Sequence, residues 1–216
     1  MESIPAVQVD DVSKRYGTRW ALARLSFTVG RGESLLLTGH NGSGKTTLLR
    51  VLATALSPTA GKMRVLGFDA ASSTEEIRSR VGLLSHASFL YEDLTAEQNL
   101  VLLARLIGKP VPSLAAKTLL EQVGLLRRAG HPVREFSAGM RKRLALARLL
   151  MKSPEVALLD EPFGELDPDG VTLAEGIIRG LQARGTTLIL ATHLVEQGER
   201  LCSRRLHLKD GRAVVA

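Results

Sequence analysis

The apolar run Leu35-Leu36-Leu37, closed by Thr38, opens directly into Gly39-His40-Asn41-Gly42-Ser43-Gly44-Lys45-Thr46, and a helical pattern follows to about Ala55. This stretch fits G-x-x-x-x-G-K-[ST] in the strand–loop–helix context that the motif requires. Glycines let successive backbone N–H groups turn inward around a phosphate, and the helix behind them adds its positive N-terminal end. Lys45 would reach the β- and γ-phosphates. The Thr46 hydroxyl would ligate Mg²⁺, with Thr47 closing the phosphate-binding stretch. The alternative, a glycine-rich turn with a chance lysine, does not account for motif and context together. The loop predicts a chain that binds a nucleoside triphosphate.

The rest of the sequence accommodates such a loop. Short β-type runs alternate with longer helical segments, the pattern of an α/β protein. Strands are expected at Ala6–Val12, Leu25–Val29, Ser34–Thr38, Met63–Leu66, Val81–Leu84, Val156–Leu159, Thr186–Leu190 and Leu206–Leu208, with a helix near 168–184. Residues 87–152 instead read as helical segments punctuated by Pro110, Pro112 and Pro132, which predicts an all-helical lobe inserted in the α/β core. With 216 residues, 44% hydrophobic and 24% charged, the composition is that of one folded domain and not of a disordered chain. A single cysteine, Cys202, excludes a disulfide framework, a multi-Cys zinc site and an iron–sulfur ligand set. No apolar run approaches the about 20 residues that span a bilayer, and the N-terminus lacks a secretory pattern, so a cytosolic chain is expected. The net charge of +7 leaves nucleic acid, an anionic membrane surface or a polyphosphate as partners.

Val156-Ala157-Leu158-Leu159 runs into Asp160-Glu161-Pro162. Carboxylates at the C-terminal end of a strand lie where α/β sheets bind ligands. Asp160 could hold Mg²⁺ through its water shell. Glu161, pointing the other way along an extended chain, could polarise an attacking water. By itself the pair could equally be a solvated strand end before a proline turn; beside the phosphate loop the catalytic reading is preferred.

Phe136-Ser137-Ala138-Gly139-Met140, leading into Arg141-Lys142-Arg143-Leu144, resembles the signature segment of the ATP-binding-cassette (ABC) family, usually LSGGQ. The physical reading agrees, because Ser137 is a good N-cap, Gly139 permits close backbone approach, and the helix start can receive an anion. The resemblance covers essentially the whole chain. It implies an ABC-type core with an N-terminal antiparallel β subdomain. It also implies head-to-tail pairing in which Ser137 and Gly139 of one subunit close over the ATP of the other, as a homodimer or with a second cassette. By the same resemblance Tyr16 matches the aromatic that stacks on adenine, against the simpler reading of a half-buried strand tyrosine. Gly164-Glu165-Leu166-Asp167 matches the D-loop, and His193 matches the switch histidine at the γ-phosphate.

The sequence departs from the family pattern in three places. His40 stands where the phosphate loop often has proline. Ala138 and Met140 replace a glycine and the glutamine of the signature. His86 falls where the Q-loop glutamine is expected; it would ligate Mg²⁺ or orient water, or is simply a tolerant loop residue. The Ser85–Leu100 stretch resembles the ATP-binding subunit of haem exporters used in cytochrome c maturation, although exporters of other lipids, drugs or polysaccharides share most of these residues. The implied function is an ATPase on the cytoplasmic side of the cell membrane, driving export through a separate integral membrane subunit, with a bare cassette and no regulatory domain expected. A nucleic-acid ATPase of the same family is disfavoured, since the segment between His86 and Ser137 holds no sustained heptads and aromatics total 4%. The clusters Arg127-Arg128, Arg141-Lys142-Arg143 and Arg204-Arg205 read as solvated helix faces, or as a membrane-proximal surface.

Overall fold

The computed structural model describes residues 4–85, 89–108 and 113–214. In chain order the strands are β1 (Val7–Tyr16), β2 (Arg19–Val29), β3 (Ser34–Thr38), β4 (Ala60–Val65), β5 (Phe68–Asp69), β6 (Val81–Leu84), β7 (Val156–Asp160), β8 (Thr187–Ala191), β9 (Arg204–Lys209) and β10 (Arg212–Val214). The helices are α1 (Lys45–Leu52), α2 (Thr74–Arg80), α3 (Ala96–Leu106), α4 (Ser113–Gln122), α5 (Ala138–Lys152), α6 (Pro168–Ala183) and α7 (Val195–Leu201), with 3₁₀ turns at Leu126–Arg128 and Val133–Glu135. One sheet is antiparallel, in the order β2-β1-β4-β5. The other runs β10-β9-β3-β8-β7-β6 and is parallel except for the β9–β10 hairpin.

The central strands β3, β7 and β8 are buried on both faces, and the strand period of two sorts their side chains between two cores. Leu36, Ala157, Leu159, Leu188 and Leu190 face one core, which continues through α5 into α3 and α4. Leu35, Leu37, Val156, Leu158 and Ile189 face the other, shared with α1 and the antiparallel sheet. Each fully buried leucine contributes about 1.5–3 kcal/mol of transfer free energy. Between β6 and β7, every element among the described residues is helical.

Two first-sheet strands are longer than their sequence pattern suggests. β2 begins at Arg19 and β1 runs on to Tyr16 through register shifts between Val9 and Val12 and between Val12 and Lys14. Asp11 and Arg24 sit at positive φ there, so bulges hide the alternation on which strand recognition depends. The short helices α2 and α7 also escape the apolar pattern, because Ile77 is the buried residue of α2 and Gly198 and Leu201 are those of α7.

Candidate active site

β3, β8 and β7 are adjacent and parallel, with Leu37 and Asp160 both in register with Ala191. Their C-terminal ends therefore deliver the Gly39–Gly44 loop, the segment after Ala191 and the segment after Asp160 to one edge of the sheet. A cleft of about 670 Å³ opens there, lined by Tyr16, Arg19, Ala21, Asn41, Gly42, Gly44, Lys45, Thr46, Thr47, Asp160 and Glu161.

The loop is built for an anion. Gly44, at φ +110°, is the N-cap of α1, and a Cβ there would lie 2.6 Å from the Ala21 carbonyl oxygen. A non-glycine residue would meet both strain and collision. α1 has no side-chain cap and no acidic residue in its first turn. By contrast Thr95, Ser137 and Asp167 cap α3, α5 and α6 with their side chains. The first N–H groups of α1 are thus open donors at the cleft. The Ser43 hydroxyl is fully buried without a hydrogen-bond partner, as expected of a loop that phosphate oxygens complete. Lys45 Nζ folds back onto the carbonyls of Gly39 (2.7 Å) and His40 (3.2 Å). From behind, the β9–β10 hairpin braces the loop: Gly211 N–H donates to the Ser43 carbonyl at 3.0 Å, and His40 lies 3.6 Å from Asp210.

Opposite the loop stand the carboxylates. Asp160 is 4% exposed, and burial raises its pKa, opposed by a hydrogen bond from Thr46. Two hard oxygen donors converge here, a buried carboxylate and a hydroxyl at the first turn of α1, and that donor set fits Mg²⁺ completed by phosphate and water. Glu161 is not on extended chain as its sequence context suggests. Its φ is +51°, because β7 ends at Asp160 and the chain turns into the Pro162–Gly164 bend, with Glu161 N–H still bonded to the Ala191 carbonyl at 2.8 Å. The turn presents the Glu161 carboxylate to His193, whose Nδ1 is 2.8 Å from Oε2 and whose backbone N–H donates to the same oxygen at 3.3 Å. A carboxylate only accepts, so Nδ1 carries the proton.

Tyr16 sits at the rim of the cleft, 48% exposed, with the Lys14 ammonium 5.6 Å from its ring centre. Ser137 and Gly139 do not line the cleft. Ser137 Oγ accepts from Met140 N–H, and Gly139 lies so close to Glu165 that a Cβ would be 2.9 Å from the Glu165 carbonyl oxygen. His86 lies outside the described residues.

Two residues at the site carry no motif signal. Arg19 reaches the cleft beside Gly42, with its guanidinium 3.8 Å from where a Gly42 Cβ would stand. Lys142, 4% exposed, donates to the Glu161 carbonyl at 3.2 Å; burial lowers its pKa while Glu165, Asp160 and Glu161 oppose the shift. The cluster Arg141-Lys142-Arg143 is therefore not a solvated helix face. α5 turns Lys142 toward the end of β7, and Arg143 pairs with Asp167 at 2.8 Å. Arg127 and Arg128 are exposed, whereas Arg204 and Arg205 lie on a strand and pair with Glu33 and Glu199.

The ABC transporter family model matches residues 22–164. The chain belongs to the ABC transporter family. The Nod factor export ATP-binding protein I of Ralstonia nicotianae is 38% identical over 214 residues, 98% of this chain and 67% of that protein. The daunorubicin resistance ATP-binding protein DrrA3 of Streptomyces coeruleorubidus is 41% identical over 211 residues, 97% of this chain and 67% of that protein. Among solved structures, an ATP-binding subunit of an ABC transporter superposes with a TM-score of 0.89 at 29% identity, covering 97% of this chain and 88% of that one. A dimeric ABC cassette in a post-hydrolysis state, bound to ADP and Pi, gives 0.88 at 26% identity, covering 97% of each chain. The ABC fold is thus that of the whole described cassette, and the chain is an ATP-binding ATPase of this family. Among the described residues, no helix is long and apolar enough to cross a membrane.

Proposed function

We propose that this chain is the ATP-hydrolysing subunit of an ABC exporter, working at the cytoplasmic face of a membrane through a separate integral membrane partner. The observation that carries the site assignment is that the uncapped start of α1 and Glu161 line one cleft, with His193 bonded to Glu161. Adenine stacks on Tyr16, and the phosphates lie in the Gly39–Thr47 loop with Lys45 leaving its carbonyl partners for the terminal phosphates. Thr46 and Asp160 would hold Mg²⁺, which would supply positive charge beside the phosphates. His193 keeps Oε2 of Glu161 engaged, so Oε1 is the atom that takes a proton from the attacking water. Pairing places Ser137 and Gly139 of a second cassette over this nucleotide, as the dimeric neighbours suggest.

For the cargo, export of a lipid, drug or polysaccharide type of molecule is the reading we adopt. It rests on relatives named for Nod factor export and daunorubicin resistance. The resemblance of the 85–100 stretch to haem exporters finds no counterpart in the names of these relatives. Glu161→Gln should retain ATP binding, measured with a fluorescent ATP analogue, and lose turnover by about 100-fold or more. Lys45→Ala should instead weaken binding itself. Wild-type turnover in Glu161→Gln would refute the assignment of the base.

A further inference from the structure

Three neighbouring residues of α5 rest on the segment that follows β7. Gly139 lies against the Glu165 carbonyl, Lys142 donates to the Glu161 carbonyl at 3.2 Å, and Arg143 holds the Asp167 carboxylate at 2.8 Å. Of the three, Lys142 is the one that reaches the catalytic segment, and it does so from a buried position. A cation is a poor choice there for stability, since an apolar side chain of similar volume avoids the desolvation cost. Its acceptor is also particular. Glu161 is a non-glycine residue at φ +51°, a conformation its own backbone disfavours, held by the Ala191 carbonyl at its N–H and, at its carbonyl, by Lys142 from α5 together with the local turn bond from Gly164 N–H at 3.3 Å.

We infer that Lys142 is a positioning residue that couples the two nucleotides of a paired cassette, fixing Glu161 at its own site according to where the start of α5 is drawn by the nucleotide of the other. The inference rests on the paired reading above, in which Ser137 and Gly139 meet the partner's ATP. The path is short: Lys142 directly follows the first turn of α5, so a shift of that turn moves the donor that holds the Glu161 carbonyl. Glu161 then turns about the β7 end, and its carboxylate moves relative to His193. Lys142 touches neither nucleotide nor water in this account. It acts through the Glu161 main chain.

Lys142→Met keeps the length and packing of the stem while removing the donor, and Lys142→Arg restores a donor. In the nucleotide-free protein, hydrogen exchange of the 161–167 segment should be faster in Lys142→Met, with protection recovered in Lys142→Arg. With ATP, the affinity of Lys142→Met for a fluorescent ATP analogue should stay within twofold of wild type. Its kcat should fall at least tenfold, and the Hill coefficient for ATP should drop to one from a wild-type value above one. Unchanged exchange together with an unchanged Hill coefficient in Lys142→Met overturns the inference while leaving pairing intact. A wild-type Hill coefficient of one, with no ATP-dependent dimer, overturns the paired reading and the coupling with it.

Discussion

Glu161 and His193 form a 2.8 Å ion-pair geometry in which one carboxylate oxygen is fully engaged, and that asymmetry decides which oxygen is available to water. Arg19 is the second residue that shapes the cleft, standing beside Gly42 with no motif to announce it. Its removal should cost one charge-assisted contact, so Arg19→Ala should raise the dissociation constant for ATP by about 5- to 30-fold, roughly 1–2 kcal/mol, with kcat little changed. Titration of a fluorescent ATP analogue checks this, and unchanged affinity would remove Arg19 from the site. Cys202 gives a pH prediction. Burial pushes its thiol up to about 12, so it should resist alkylation at pH 8 in the folded protein and react once unfolded. The unfolded thiol ionises first as pH rises, so this group subtracts from stability only above the ordinary thiol range and increasingly toward pH 12.

What the sequence discloses at this scale depends on the kind of signal. The phosphate loop is legible because its glycines, lysine and threonine are needed at fixed spacing by local backbone geometry. Lys142 is not, because a lysine between two arginines has the composition of a wet helix face, and only the crossing of α5 over the end of β7 reveals it as buried. Glu161 is legible as a carboxylate at a strand end, but its left-handed φ comes with the turn that ends β7, and its N–H is held by Ala191 on a neighbouring strand, a contact that no local pattern encodes.

Among the elements, helix starts separate structural from functional roles. α3 begins with a reciprocal pair, Thr95 Oγ1 accepting from Gln98 N–H while Gln98 Oε1 accepts from Thr95 N–H. α1 has no such device and faces the cleft. Thr95→Ala should therefore cost about 1 kcal/mol and lower the melting temperature by about 2–4 °C while leaving ATP affinity unchanged. A calorimetric scan with ATP titration distinguishes this from a role in the site, which would alter affinity. The central strands β3, β7 and β8 are readable as apolar runs because both of their faces are buried. β1 and β2 were readable only in part, since their bulges break the alternation, and β10 is too short and exposed to give any pattern.

At the scale of the molecule, the proposed function makes the cleft and the start of α5 separate halves of one chemistry. Tyr16, the Gly39–Thr47 loop, Asp160 and Glu161 gather at one edge of the sheet, whereas Ser137 and Gly139 lie outside that cleft. A cassette so divided needs a second copy or a second cassette to enclose its nucleotide, and the central claim is that ATP itself brings the two together. Sedimentation of Glu161→Gln with and without Mg²⁺–ATP tests this most directly, because the blocked variant holds the closed state. The expected result is a monomer without nucleotide and, with it, a dimer carrying two ATP molecules, abolished by a further Ser137→Arg substitution. A protein that binds one ATP per chain and sediments as a monomer throughout would contradict it.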